Sequence, residues 1–363
     1  MDNMAGSDRA MSLRQQMQRS FFVKGITVAV LSGMSYGLYS AFVTRGMGTG
    51  VWGEWYSVHE VGVMVVLLGA LGSALNDTVS AVWSIIIAGI KGKLGDFVRC
   101  LRTKPGRVMI LCALAGGLVA DTAYIVALQM AGSIIIPITA LCPAIGAILG
   151  HFLFKQRLSP RMVLGVFICV GASIMIGSTS FGEGAAPNVL AGCLIALLAA
   201  FGWGIEGCIA GFGTALIDYD IGITIRQTTS GLSGLVIMVP VISLMAGRIG
   251  LAPELISAAF SDGPAMLFFA ISGFFAMYAF SLWYKGNSMC GAALGMAANG
   301  AYSFWGPFFC WIVLGLFFKE DGWMIAPIAW VGAVVMFFGI LLIAVNPFAS
   351  LIKKKEGDDE TAA

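Results

Sequence analysis

Ten runs of about 20 apolar residues divide this 363-residue chain, and a run of that length is what an α-helix needs to cross the hydrocarbon of a bilayer. They lie near 22–44, 69–90, 108–130, 132–154, 161–178, 188–213, 222–247, 264–285, 288–316 and 323–346. A chain in lipid must satisfy its backbone hydrogen bonds internally, so the runs read as helices and the fold class as all-α integral membrane. Charged residues make up 11% of the sequence, against roughly 25% in soluble domains. That excludes an ordinary water-soluble enzyme or nucleic-acid-binding protein and makes the lipid bilayer an obligatory partner.

The positions of Lys and Arg test the count, because losing one span would swap the side of every later loop. With the N-terminus inside, the cytoplasmic segments hold Arg9, Arg14, Arg19 and Lys24, then Lys91, Lys93, Arg99, Arg102, Lys104 and Arg107, then Lys155, Arg157 and Arg161. Arg226, Lys285 and Lys353 to Lys355 complete the set, leaving Arg45, Arg248 and Lys319 outside. The reading is a multi-pass protein of the cell (inner) membrane with both termini cytoplasmic. Residues 1–20 are too polar for a cleavable signal and form a cytoplasmic arm, while 349–363 form a charged cytoplasmic tail. One stretch fits poorly: Val58 to Ile90 is too long for one span and too short for two, with Asn76-Asp77 interrupting it. Because the charges allow one crossing there, Val58 to Gly69 reads as an outer-surface or re-entrant extension.

Five helices then fall in each half, 21–180 and 185–348, joined by a Gly-rich outer loop, Gly177 to Asn188. The first helix of each half carries an echo. Gly25 to Gly46 aligns with Gly192 to Gly213, with identities at Gly25/Gly192, Ala29/Ala196, Leu31/Leu198, Gly37/Gly204 and Gly46/Gly213. Tyr36 faces Trp203 in this alignment, and Glu206 stands where the first copy has Tyr39. An odd number of helices per copy inverts the second against the first, and two inverted five-helix repeats are the sequence sign of an alternating-access carrier.

These residues carry a resemblance to the drug/metabolite transporter superfamily, in particular its ten-helix EamA-like members. Tyr36-Gly37 and Trp203-Gly204 resemble the family's aromatic-Gly pair in the first helix of each half. Tyr124 to Gly177 is similar to the block from the third helix to the fifth, with Pro143 in the fourth helix and the turn Arg157 to Ser159. Ala270 to Ala344 repeats it more loosely. The resemblance implies transport of a small-molecule solute, often coupled to protons, with both termini cytoplasmic.

Acids inside membrane helices are costly and therefore mark functional sites. Three qualify: Asp77, Asp121 and Glu206. An aromatic or amide accompanies a second polar or aromatic residue at a spacing of three, on one helix face, at Tyr36/Tyr39, Asp121/Tyr124, Trp203/Glu206 and Asn299/Tyr302. The expected substrate-binding set is Glu206, Trp203, Tyr36, Tyr39, Tyr124, Asn299, Tyr302, Trp305 and Lys285. Asp121 and Glu206 are expected to handle protons, with Glu206 facing substrate. Carboxylates among aromatic faces suit a cationic amine or a zwitterion, and the same platform would serve a sugar or nucleoside. Ordinary helix packing explains any single aromatic equally well. Arg226 and Lys285 sit at span ends, where snorkelling to the interface accounts for them. If either turned inward, it could bind a carboxylate and favour a zwitterion.

His59 and His151 have no companions at ligand spacing, so no metal and no cofactor is expected. Pro137, Pro143 and Pro307 permit kinks, and Gly33/Gly37, Gly146/Gly150, Gly207/Gly211 and Gly291/Gly295 permit close helix contact. An integral-membrane enzyme would need a nucleophile, metal cluster or catalytic motif, and a channel a repeated filter or a ring of charge. The sequence favours a secondary transporter, monomeric or homodimeric, over both.

Overall fold

The computed structural model describes residues 2–59, 62–154, 159–177, 188–213, 216–248, 250–290, 296 and 299–344. The charged tail, most of the joining loop, Arg157-Leu158 and the Gly291/Gly295 pair lie outside them. Of the described residues 88% are helical, and none lies in a strand. Five helical stretches are long and apolar enough to cross a bilayer, as an integral membrane protein requires: Val63–Ile90, Lys104–Thr139, Val189–Ile209, Tyr219–Met245 and Gly263–Met289.

Helix α1 (Asp2–Met47) carries the polar arm and the first apolar run without a break. A short helix, α2 (Val51–Val58), precedes α3 (Val63–Ile90). This corrects the expectation for Val58 to Gly69, since most of it forms the first turns of α3. Nor do Asn76 and Asp77 interrupt α3. Both are buried side chains facing other helices, so their polarity marks an interior site rather than a helix end.

After α4 (Leu94–Cys100) comes α5 (Lys104–Ala113), opened by Thr103, whose hydroxyl caps the Gly106 amide. It passes through a π-helical stretch, Leu114–Asp121, into α6 (Thr122–Ala131). The fourth apolar run is broken in two, α7 (Ile135–Thr139) and α8 (Cys142–Phe154). Pro143 has no N–H to donate to the carbonyl of Thr139 four residues back, and the helix parts there. Then follow α9 (Pro160–Gly177) and α10 (Val189–Gly213). Helix α11 (Tyr219–Ser233) continues through a π stretch, Gly234–Met238, into α12 (Val239–Met245).

The remaining elements are α13 (Leu251–Ser261), α14 (Gly263–Cys290), α15 (Tyr302–Cys310, extended by a π stretch to Phe317) and α16 (Pro327–Ala344). Residues 288–290, expected in the ninth run, belong to α14. The turn at Gly300-Ala301 interrupts the ninth run just before Tyr302, and the Tyr302 hydroxyl lies 3.7 Å from Cys142 Sγ. The breaks of the two interrupted runs therefore meet.

Packing runs mainly between distant parts of the chain. Helix α1 lies against α14 and α15, α10 against α6 and α8, α3 against α11 and α14, α11 against α5, and α9 against α16. Glycines set the closest approaches. A Cβ on Gly37 would sit 2.5 Å from the Trp305 carbonyl oxygen, and one on Gly204 2.7 Å from Ile145. At one end of the bundle, Asp262 accepts from the Val51 amide at 2.6 Å and the Ala265 amide at 3.1 Å, so one carboxylate caps both α2 and α14.

Candidate functional site

The interior of the bundle holds an ion cluster built from five helices. Arg226 on α11 is fully buried, and its guanidinium has five N–H donors to place. All five are used. Nε donates to Glu206 Oε1 at 2.6 Å and Nη2 to Glu206 Oε2 at 3.0 Å. Nη1 and Nη2 donate to Asp121 Oδ2 and Oδ1 at 2.9 and 3.1 Å, and Nη1 also to Gln227 Oε1 at 2.9 Å. The Phe280 ring lies 3.7 Å from the guanidinium carbon, covering one face of the plane.

The acids are held from behind. Tyr284 on α14 donates to Glu206 Oε1 at 2.7 Å, and the Trp203 indole donates to Asp121 Oδ1 at 2.7 Å. Gln227 donates in turn to Ser80 Oγ at 2.7 Å. Asp77 on α3 sits beside Asp121 and accepts from the Ser230 hydroxyl. Asp121 ends the π stretch of its helix, a wide turn of the kind that recurs at functional sites. Two glycines in that stretch make the closeness possible: a Cβ on Gly116 would collide with the Glu206 side chain, and one on Gly117 would lie 2.5 Å from Ser230.

Charge counting gives this cluster its chemistry. One guanidinium and three carboxyls balance only when two of the carboxyls carry protons. A buried excess of negative charge is costly, so proton number and the position of Arg226 are linked.

An aromatic cluster adjoins the ions. Tyr36 is its hub, with ring centroids 5.3 Å from Tyr39, 5.3 Å from Tyr124, 5.8 Å from Trp203 and 4.6 Å from Tyr302. Tyr124 exchanges a hydrogen bond of 2.6 Å with Ser40, and Ser32 donates to Asn299 Oδ1 at 2.7 Å. A small cavity lies among Ser32, Tyr36, Trp203, Trp283, Asn299 and Tyr302, with about 20 Å³ open to the centre of a water-sized sphere, room for about one water.

Of the residues expected from the sequence, Asp121, Glu206, Trp203, Tyr36, Tyr39, Tyr124 and Tyr302 come together here, and Asn299 reaches the cavity wall. Trp305 and Lys285 do not join them. The Trp305 ring packs with Phe304, Phe308 and Phe309 while its carbonyl abuts Gly37, and Lys285 lies 5.2 Å from the Tyr219 ring near one end of the bundle. Arg226 is the main correction, since it pairs in the interior instead of snorkelling. The helix begins at Tyr219, so Arg226 stands two turns inside rather than at its mouth, and it leaves the tally of cytoplasmic charge. Its neighbours Gln227 and Ser230 made a polar stripe that could have signalled this. Nothing in the sequence set Tyr284 apart from packing aromatics.

Ion pairs also lie at both ends of the bundle. At the end of α1, Arg45 Nη1 lies 2.5 Å from Glu320 Oε1, with the guanidinium 4.3 Å from the Phe318 ring. At the end of α3, Lys91 pairs with Asp220 at 2.8 Å, and Lys93 with Asp218 at 2.9 Å and Asp220 at 2.7 Å. Partial burial works against the charge on Lys93, yet its hydrogen bonds to Asp220 and Asp218 hold the ammonium above the ordinary lysine range.

No protein-family model and no curated protein sequence matches the chain. Solved structures do match, among them one described only as the crystal structure of a protein, with a TM-score of 0.54 and 16% identity over 86% of this chain and 94% of that one. At that identity the likeness concerns the fold alone.

Proposed function

We propose that the chain is a proton-coupled secondary transporter of a small polar organic solute, working by alternating access between two inverted five-helix halves in the cell membrane. The observation that carries this reading is the fully buried Arg226, joining Asp121 of the first half to Glu206 of the second with every donor engaged. A cation shared between two halves can be released only by supplying protons or ligand to its partners, which ties movement to loading.

Ten membrane crossings, inverted symmetry and cytoplasmic termini belong to the proposal, as does the likeness to the drug/metabolite transporter superfamily. Exchanging each helix for its counterpart in the other half supports the symmetry. The packing of α1 on α14 and α15 becomes that of α10 on α6 and α8, while the pairs α3/α11 and α9/α16 map onto themselves. The echo residues agree in environment: Ala29 and Ala196 are fully buried, Leu31 and Leu198 are 45% and 52% exposed, and Gly37 and Gly204 each admit a neighbouring backbone. Short helices α4 and α13 follow the second helix of each half. Interrupted helices meeting at the middle suit a carrier's central site.

Because Arg226 already occupies both acids it touches, a free cation would have to displace it. The cluster therefore favours a solute without net charge, a zwitterion before a simple amine. The test is counterflow in proteoliposomes holding the full chain, with amines, zwitterions, sugars and nucleosides as the panel. Saturable exchange accelerated by solute on the far side is expected for at least one member, and leakage without saturation, or no exchange, overturns the reading.

A further inference from the structure

The cavity beside the ion cluster has a wall made of donors. Trp283 and Tyr36 both line it, each is 4% exposed, and neither the indole N–H nor the tyrosine hydroxyl has a well-formed hydrogen bond among the described residues. The Tyr36 hydroxyl lies beside that of Tyr124, which is engaged with Ser40. Asn299 reaches the same cavity and its side-chain amide meets the Ser32 hydroxyl at 2.7 Å with one end, which leaves at least one N–H donor as spare capacity. One turn along α14 from Trp283, on the same face, Asn287 keeps a buried side-chain amide without a partner among the described residues.

Buried polar groups in native proteins are nearly always paired, so unpaired ones converging on a cavity point to a partner that arrives from outside. An indole N–H can only donate. The carboxylates nearby are committed: Asp121 takes Trp203 and Arg226, and Glu206 takes Arg226 and Tyr284, while the unpartnered Asn287 Oδ1 is not on the cavity wall. What the cavity lacks is an acceptor, and the space open to it is the size of one oxygen-bearing group.

We propose that Trp283 and Tyr36, with the Asn299 amide beside them, form the subsite that receives a carbonyl or carboxylate oxygen of the transported solute. This rests on the transporter reading and names the solute's chemistry: a molecule bearing an sp² oxygen, not a bare amine or polyol. In the closed arrangement seen here only that group's volume is open, and the rest of the solute enters as the halves part.

Counterflow with matched probes tests it: alanine, alaninamide and alaninol, and lactate, lactamide and propane-1,2-diol. The acid or amide of a skeleton is expected to exchange and its alcohol to exchange poorly. Trp283→Phe is expected to raise the half-saturation concentration for the carbonyl-bearing probes about tenfold at unchanged maximal rate, the effect of leaving one acceptor unpaired. Tyr36→Phe serves as the second variant, and both are checked for folding by thermal unfolding. An unchanged half-saturation in well-folded variants, or an alcohol that exchanges as well as its acid, overturns the proposal. Exchange of amines or sugars without any carbonyl-bearing probe removes this subsite and leaves the transporter standing. Absence of exchange for every solute removes both.

Discussion

Asp77 and Asp121 lie side by side in the interior, though 44 positions and a turn of the chain separate them. Asp121 is bound by the indole of Trp203 and two arms of Arg226, whereas Asp77 receives the hydroxyl of Ser230. Two carboxyls in contact are stable in a dry interior when a proton lies between them. Under the proposed function the pair is where one proton is held or lost, next to the Arg226 cation that joins Asp121 to Glu206.

Asp77→Asn keeps the shape and the hydrogen bond from Ser230 while removing the exchangeable proton. The expected outcome is a protein that still performs counterflow at about the wild-type rate but no longer accumulates solute under a pH gradient. Asp121→Asn should lose the same coupling and also weaken the grip on Arg226, lowering thermal stability. Gradient-driven accumulation by Asp77→Asn equal to wild type would remove this pair from the coupling path.

The end latches make a separate prediction. Arg45 and Glu320 are each 27% exposed, so their pair is worth about 1 kcal/mol or less, a shift of at most roughly fivefold in an opening equilibrium. Glu320→Gln and Lys93→Gln should therefore change exchange rates modestly without unfolding the protein. Cysteines at 45 and 320, or at 93 and 218, joined by a flexible bifunctional thiol reagent, should stop exchange. Cross-linked protein that exchanges freely would show that these ends do not part. A lysine pKa raised on folding adds stability that is complete below the unfolded value of about 10.4 and is lost as pH rises through the folded value. The Lys93 latch should accordingly be insensitive to pH across the neutral range.

Much of this arrangement was legible in the sequence, for physical reasons that differ by residue. Helices lie in every apolar run because lipid permits little else. Asp121 and Glu206 stood out because an acid in such a run needs a reason, and Tyr36 and Trp203 because the echo set them opposite one another. Arg226 was hidden by the polar first turns of its helix, where Asp218 caps the Asp220 amide and Tyr219 meets Lys91 and Lys93, so that the apolar run began late. Asn76 and Asp77 read as a break in the sequence by the same logic reversed, since polarity facing a partner looks like polarity facing water. The Arg45–Glu320 latch joins residues 275 positions apart, and no local pattern announces such a pair.

Close helix contact predicts an asymmetry among glycines. Gly37→Ala places a methyl 2.5 Å from the Trp305 carbonyl oxygen, and backbone cannot step aside as a side chain can. Overpacking of this kind costs about 1–3 kcal/mol. Gly171, with nothing within 4 Å of its Cβ position, is the control, and Gly171→Ala should be neutral or slightly stabilising because alanine favours helix. Gly204→Ala, the counterpart of Gly37, meets the Ile145 side chain at 2.7 Å and the Cys142 carbonyl oxygen only at 3.2 Å, and should cost less. Equal melting temperatures for Gly37→Ala and Gly171→Ala would contradict the packing described.

Removing Arg226 alone should be the most damaging change in the interior. Arg226→Met leaves Asp121 and Glu206 buried with their shared cation gone, and breaking a buried pair from one side costs about 3–5 kcal/mol. Lysine is a poor substitute, because three donors on one nitrogen cannot span two carboxylates that the forked guanidinium meets with two bonds each. The triple variant Asp121→Asn, Glu206→Gln, Arg226→Met removes all three ionisable groups together and should recover most of the lost melting temperature, since uncharged side chains of similar size carry little desolvation cost. Solute exchange should return in neither, because the cluster's role in transport depends on the charges it has lost. Recovery of both stability and exchange in the triple variant would reduce the cluster to a structural tie.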